Sequence, residues 1–137
     1  MKLSFDVDDG AGSTAALGLI VLQSDESMEA ELRSVFDQPG IALYHSRIPS
    51  APEVTAETLK QMELDLPLAA SLLPTARSLD VVGYGCTSGA TVIGADNVAA
   101  AINASHDGAK TTDPITAVMA ACRHLSVKRL GFVTPYV

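Results

Sequence analysis

An α/β fold built on a mostly parallel sheet is the architecture this sequence predicts. Short apolar runs at Leu17–Leu22, Ile41–Tyr44 and Leu79–Tyr84 alternate with longer stretches whose apolar residues recur at helical spacing. The first of these runs, LGLIVL, is continuous rather than alternating, as in a parallel strand covered on both faces. The third observation is Asp80–Gly94, DVVGYGCTSGATVIG, where an apolar run breaks into glycines and passes into an alanine-rich segment. It reads as a strand, a tight turn and a first helical turn, with Cys86 at the junction.

Taken in order, residues 1–16 are expected as a flexible arm. DVDDGAGST at 6–14 is acidic and glycine-rich, and Leu3–Val7 is at most a short edge strand. Leu17–Leu22 is the first strand. The polar loop QSDES then leads into a helix carrying Met28, Leu32, Val35 and Phe36, stopped by Pro39 and Gly40. Ile41–Tyr44 is the second strand, followed by HSRIPSAP, whose prolines block immediate helix continuation. Thr55 caps the next helix with Glu57 in its first turn; Leu59, Met62 and Leu66 form its apolar stripe, and Pro67 should interrupt it or begin a second turn after Asp65.

Leu79–Tyr84 is the third strand. Ala90–Ala104 forms two helical pieces divided at Gly94, and His106–Lys110 is polar and turn-like. Asp113 and Pro114 start a helix whose buried stripe is Ile115, Val118, Cys122 and Leu125; Leu130–Val133 is the fourth main strand. The expected organisation is an arm over 1–16, a first α/β lobe over 17–110, and an opening helix and strand of an incomplete second lobe over 111–137. A chain that stops at GFVTPYV, just as a loop after its fourth strand begins, reads as a fragment of a two-lobed protein.

Composition narrows the function classes. With 137 residues and 47% hydrophobic content the chain can bury a sizeable core, and three Phe, three Tyr and no Trp make that core aliphatic. A net charge of −7 with no basic stripe argues against nucleic acid and anionic membrane as partners. Two cysteines make neither a disulfide framework nor a close metal-binding pair. No apolar run reaches the ~18 residues of a membrane span, and Lys2 is not followed by a secretory signal. The expected setting is cytoplasmic, with reduced thiols.

The chemistry should lie beyond the carboxyl ends of the strands, where Asp25, Cys86 and Tyr136 can converge. A thiol at a helix start is favoured as thiolate and is a candidate nucleophile or proton abstractor. A cysteine beside Val81 and Val82 is equally at home as a small buried hydrophobe. Thr87 and Ser88 can donate to a carboxylate or simply cap the helix. Asp25 can orient a proton or cap the helix after it, and Arg47 can clamp a carboxylate or sit on the surface. Tyr136 can hydrogen-bond a substrate oxygen or be an ordinary loop tyrosine. His45, just past a strand, is a catalytic candidate, whereas His106 and His124 look structural or exposed. Cys122 falls on a helix core face. Gly83-Tyr84-Gly85 is followed by Gly89, one position too late for a dinucleotide-binding turn.

Four landmarks occur together in order: LGLIVLQSDESMEAE at 17–31, YHSRIP at 44–49, VVGYGCTSGATVIG at 81–94 and TTDPITAVMAACRHLSVKRLGFVTPY at 111–136. In this the chain resembles the aspartate/glutamate racemase superfamily, particularly the branch of maleate cis–trans isomerases and arylmalonate decarboxylases. The resemblance implies two similar α/β lobes with the active site between them and a catalytic cysteine from each. It implies proton exchange next to a carboxylate, or addition of a cysteine to an alkene followed by rotation and elimination, with no metal or organic cofactor. By that resemblance Cys86 is the first-lobe cysteine, Thr87 and Ser88 form the carboxylate-binding turn, and Tyr136 helps hold a small carboxylate substrate. Asp25 stands where maleate isomerases commonly have asparagine. The decarboxylases typically lack the first-lobe cysteine, so Cys86 favours racemase or isomerase chemistry. Cys122 does not fit the second cysteine's place.

Two other functions remain open from the residues: a thiol-dependent hydrolase using Cys86 and His45, and a non-catalytic small-anion-binding or structural module. Exposed apolar faces of an unfinished second lobe, at Ile115, Val118, Leu130, Phe132 and Val133, predict a homo-oligomer or other association.

Overall fold

Residues 3–133 of the chain are described by the computed structural model. Strand β1 (Ala15–Leu22) is followed by α1 (Met28–Val35), β2 (Ile41–Ile48), α2 (Ala56–Ser71) and β3 (Val81–Tyr84). Then come α3 (Thr87–Ile93), α4 (Ala95–Asn103), β4 (Lys110–Thr112) and α5 (Pro114–His124). The four strands described form one parallel sheet in the order β2-β1-β3-β4. The chain steps out from β1 to β2, then crosses back over β1 to β3. Right-handed crossovers in opposite directions send α1 to one face and α2, α3 and α4 to the other. The reversal beside β1 opens a crevice outside the carboxyl ends of β1 and β3.

Register decides which side chains share a face. Ile20 pairs with Ser46 and Tyr84, while Leu19 pairs with His45 and Gly83. Side chains alternate along each strand, so these two sets lie on opposite faces. The Ile20 face carries the core: Ile20, Ile48, Val82 and Tyr84 pack with Leu66, Ala69 and Ala70 of α2 and with Val98 and Ile102 of α4. The opposite face is thinner. None of α1 is buried, and Leu17, Leu43 and Val81 with Leu32 and Phe36 of α1 line an apolar hollow of about 330 Å³. The expectation of strands covered on both faces is therefore met in full on one face.

Helix α2 is the central packing element. Thr55 caps it as expected: its hydroxyl accepts from Thr58 N–H at 3.2 Å, and Thr58 Oγ1 accepts from Thr55 N–H at 2.9 Å. Pro67 does not interrupt the helix. It removes one backbone donor, but Pro67 is on the solvent side and the buried Leu66, Ala69 and Ala70 hold the helix on either side of it. At the far end side chains reach three carbonyls of the last turn, of which Ala70 O also accepts from Leu73 N–H at 3.1 Å. Ser71 donates to Leu68 O at 2.8 Å, Ser46 donates to Ala69 O at 2.6 Å, and His106 Nε2 meets Ala70 O at 2.9 Å.

Several element boundaries differ from the sequence expectation. Strand β2 continues through His45–Ile48, because all eight residues of β1 pair with it. Three of the four added residues, His45, Ser46 and Arg47, are polar and so end the apolar run. Leu3–Val7 forms no strand. The fourth strand is Lys110–Thr112, which begins on the last residue of the expected polar turn and runs into the expected opening of the second lobe, and Leu130–Val133 has no regular structure. Lys110, Thr111 and Thr112 join the sheet through backbone pairing to β3, which needs no apolar side chains. Helix α5 starts at Asp113, whose carboxylate accepts from Thr116 N–H at 2.9 Å, but none of its residues is buried. Its expected buried stripe is instead an open one, with Val118 51% and Leu125 71% exposed.

Candidate functional site

Alternation along β3 brings Val82, Tyr84 and then Cys86 toward the α2 side, with Cys86 two residues past the strand. Cys86 is extended at φ −133°, ψ 110° and caps α3; its Sγ accepts from Gly89 N–H at 3.2 Å. Ser88 Oγ is 3.7 Å from the same sulfur. The helix ends at Gly94, whose φ of +86° is open to glycine and divides α3 from α4 as expected.

The thiol is 5% exposed and lines a small pocket of about 40 Å³ with Leu22, Glu53, Val54, Met62 and Ser88. A larger cavity of about 680 Å³ shares Val54 and Ser88 with it. Thr87 and Thr91 supply polar wall to this cavity, while Val92, Ile115, Val118 and Phe132 make it predominantly apolar. Cys86, Thr87 and Ser88 are thus brought together at one mouth, at the carboxyl end of the sheet.

The other expected residues have different surroundings. Asp25 Oδ1 accepts from Ser27 N–H at 3.0 Å and Met28 N–H at 2.8 Å, so its carboxylate caps the start of α1. Arg47 Nη1 donates to the carbonyls of Leu22, Gln23 and Asp25 at 3.1, 3.2 and 2.8 Å, and its Nη2 meets Glu29 at 2.7 Å. Arg47 therefore holds the loop between β1 and α1 in shape. Neither residue lines the two cavities. Tyr136 lies outside the described residues. His45 pairs with Leu19 and faces the α1 side, so the sheet separates it from Cys86 and the pair a thiol hydrolase needs is not formed. Its buried Nε2 has no hydrogen-bond partner among the described residues. Cys122 is half-buried on α5 rather than in a core. Among the described residues no group of three or more His, Cys, Asp or Glu side chains is placed to hold a metal ion.

Sequence reasoning missed Tyr84, which reads only as the last residue of a strand. Tyr84 is 1% exposed, and its hydroxyl donates to Met62 Sδ at 3.8 Å. Burial, reinforced by the charge of an ionised Cys86 and by hydrogen bonding to it, pushes the Tyr84 phenol far above its ordinary value. Gly89 was also missed as a site residue. A Cβ built there would collide with Tyr84 Oη and lie 3.0 Å from Cys86 Sγ. The available signal was spacing: Tyr84 and Cys86 alternate onto one side, and Gly89 is the third residue of the helix Cys86 caps.

These features define a parallel α/β lobe that presents a thiol at a cavity beyond the carboxyl end of its sheet. The fold is one shared with solved maleate isomerases. It is similar to maleate isomerase Iso from Pseudomonas putida S16, at TM-score 0.73 and 24% identity over 90% of this chain and 54% of that one. A cysteine-to-alanine variant of Iso solved with maleate gives the same values. The Nocardia farcinica maleate cis-trans isomerase bound to TRIS matches at TM-score 0.71 and 22% identity, over 90% of this chain and 53% of that one. The chain thus spans about half the length of these solved structures. No protein-family model matches the chain, and no curated protein matches it. No described helix is long and apolar enough to cross a membrane.

Proposed function

We propose that this chain supplies the first, cysteine-bearing half of a cofactor-independent racemase or cis–trans isomerase acting on a small carboxylate. Cys86 would transfer a proton at the carbon next to the carboxylate, or add to an alkene carbon, with Thr87 and Ser88 as donors to substrate oxygens. Tyr136 is the proposed further donor. Residues from α5 onward would open a second lobe, and that lobe would close the cavity and bring the second acid–base group. Asp25 and Arg47 are assigned to shaping the loop beside the site.

The observation that carries this reading is the Cys86 thiol itself. It has a backbone donor at 3.2 Å and a serine hydroxyl at 3.7 Å, and although buried with the core it lines a small pocket next to the larger cavity. Likeness of fold to two maleate isomerases supports it. The hydrolase reading loses its imidazole to the other face of the sheet.

The half chain alone is expected to be inactive, so the test is an NMR assay of the two-lobed protein and its Cys86→Ala variant on a panel of small carboxylates in deuterated water, reading exchange at the carbon next to the carboxylate and interconversion of alkene isomers. We expect Cys86→Ala to lower the rate by about a hundredfold or more, the scale of a lost acid–base or nucleophilic group. Equal rates in the two proteins, or no exchange by either, would overturn the proposal.

A further inference from the structure

We infer that Tyr84 is a positioning residue for the Cys86 thiolate: its hydroxyl proton turns from the Met62 sulfur to the Cys86 sulfur when the thiol ionises. The inference rests on reading Cys86 as the reacting thiol, and it deepens that reading with a residue that does not touch substrate.

A tyrosine that is 1% exposed must place its one hydroxyl proton inside the protein. The acceptor it has is poor, a thioether at 3.8 Å. The other acceptor at hand is Cys86 Sγ. Both atoms crowd the space above the bare Cα of Gly89, where a Cβ would collide with Tyr84 Oη and lie 3.0 Å from Cys86 Sγ. The same glycine donates its N–H to the sulfur, and Ser88 Oγ stands on another side of it. A thiolate formed here already has a backbone N–H and a serine hydroxyl beside it, and the Tyr84 hydroxyl, which is bonded to Met62 in this structure, is the inferred third donor.

The hydrogen bonds matter because charge does not help. The pocket wall at Cys86 includes Thr58, Leu59 and Met62 of α2 and Ser88 of α3, none of them ionisable in the physiological range. From the loop between β2 and α2 comes Glu53, a carboxylate, and no lysine, arginine or histidine lines the pocket. With no cation lining the pocket, a sulfur anion depends on neutral donors. Hydrogen bonds to a charged acceptor are about twice as strong as those between neutral groups. The tyrosine proton thus has little reason to leave Met62 for a neutral thiol and a clear reason to leave it for a thiolate. Gly89 follows from the same geometry, since any side chain would wedge the two groups apart.

The experiment follows the sulfur directly. In a Cys122→Ser background, which leaves Cys86 as the one thiol, the infrared S–H stretching band is recorded across pH. In Tyr84→Phe, which keeps the ring and deletes the hydroxyl, loss of the band is expected to move to higher pH by about one unit, the worth of one hydrogen bond to a charged group. In the protein that retains Tyr84, the Tyr84 Cζ resonance is expected to shift over the same pH range in which the band disappears. Coincident band profiles with and without the hydroxyl overturn the inference. So does a Tyr84 resonance that stays still while the sulfur ionises, a result that needs no variant at Tyr84. Neither readout involves turnover. Full activity in Cys86→Ala would remove the functional reading and leave this one standing, whereas coincident band profiles would do the reverse.

Discussion

A phenol that keeps its proton far into the alkaline range couples one residue to the stability of the whole fold. In the unfolded chain Tyr84 titrates near its ordinary value of 10.0, whereas in the folded chain burial, and then Cys86, raise it. Above pH 10 the folded state therefore holds a proton that the unfolded state has released, and stability falls as pH rises. The contribution is fully present below pH 10. We expect urea denaturation of the native sequence to show a steeper alkaline loss than that of Tyr84→Phe, and parallel curves would contradict the assignment. The site was partly legible at this scale. VVGYGCTSG marks Cys86, Thr87 and Ser88 through the ordinary grammar of a strand, a turn and a helix start. Asp25 carries both roles in the sequence, and only coordinates show its carboxylate on Ser27 N–H and Met28 N–H. Tyr84 offered only its alternation with Cys86 as a signal, because its contacts are with Met62 of α2 and with the space at Gly89 of α3.

Elements with strong local signals were read well. The Thr55 cap, the Leu59, Met62 and Leu66 stripe, the break at Gly94 and the Asp113-Pro114 start all rest on interactions within a few residues. The misreadings have tertiary causes. β4 is three polar residues whose place is set by hydrogen bonds to β3, with no periodicity to announce it. β2 runs on to Ile48 because a full-length neighbour pairs with it, and Ser46 is accepted in the core because Ala69 O needs a donor. Helix α2 survives Pro67 because its capped start, its satisfied end and its buried residues outweigh one missing bond. Local propensity proposes an element, and packing decides its length.

For the molecule as a whole, the parallel sheet and its reversal beside β1 place Cys86, Thr87 and Ser88 at one crevice, as the order of elements implies. The same topology leaves apolar surface open. Val118 is 51% exposed, Phe132 77% and Val133 98%, and they border the cavity that Thr87 and Ser88 also line. We propose that association covers these apolar residues. We expect light scattering on the 14.2 kDa chain to give a mass that rises with concentration, and a monodisperse monomer at high concentration would contradict that expectation.

The claim at the centre of this account is that Cys86 reacts because of where it sits. Its most direct test is a competition between the two thiols of the chain, mapped by mass spectrometry of peptides after limited exposure to maleate or to neutral acrylamide. With either reagent the sulfur adds to one alkene carbon and the other takes a proton from water. Simple access favours Cys122, which is half-buried on α5, over Cys86 at 5% exposed. A site that binds carboxylates and activates its thiol reverses that order for maleate alone, so we expect the maleate adduct on Cys86 and the acrylamide adduct mainly on Cys122. The same distribution with both reagents, or maleate on Cys122 first, would contradict the account.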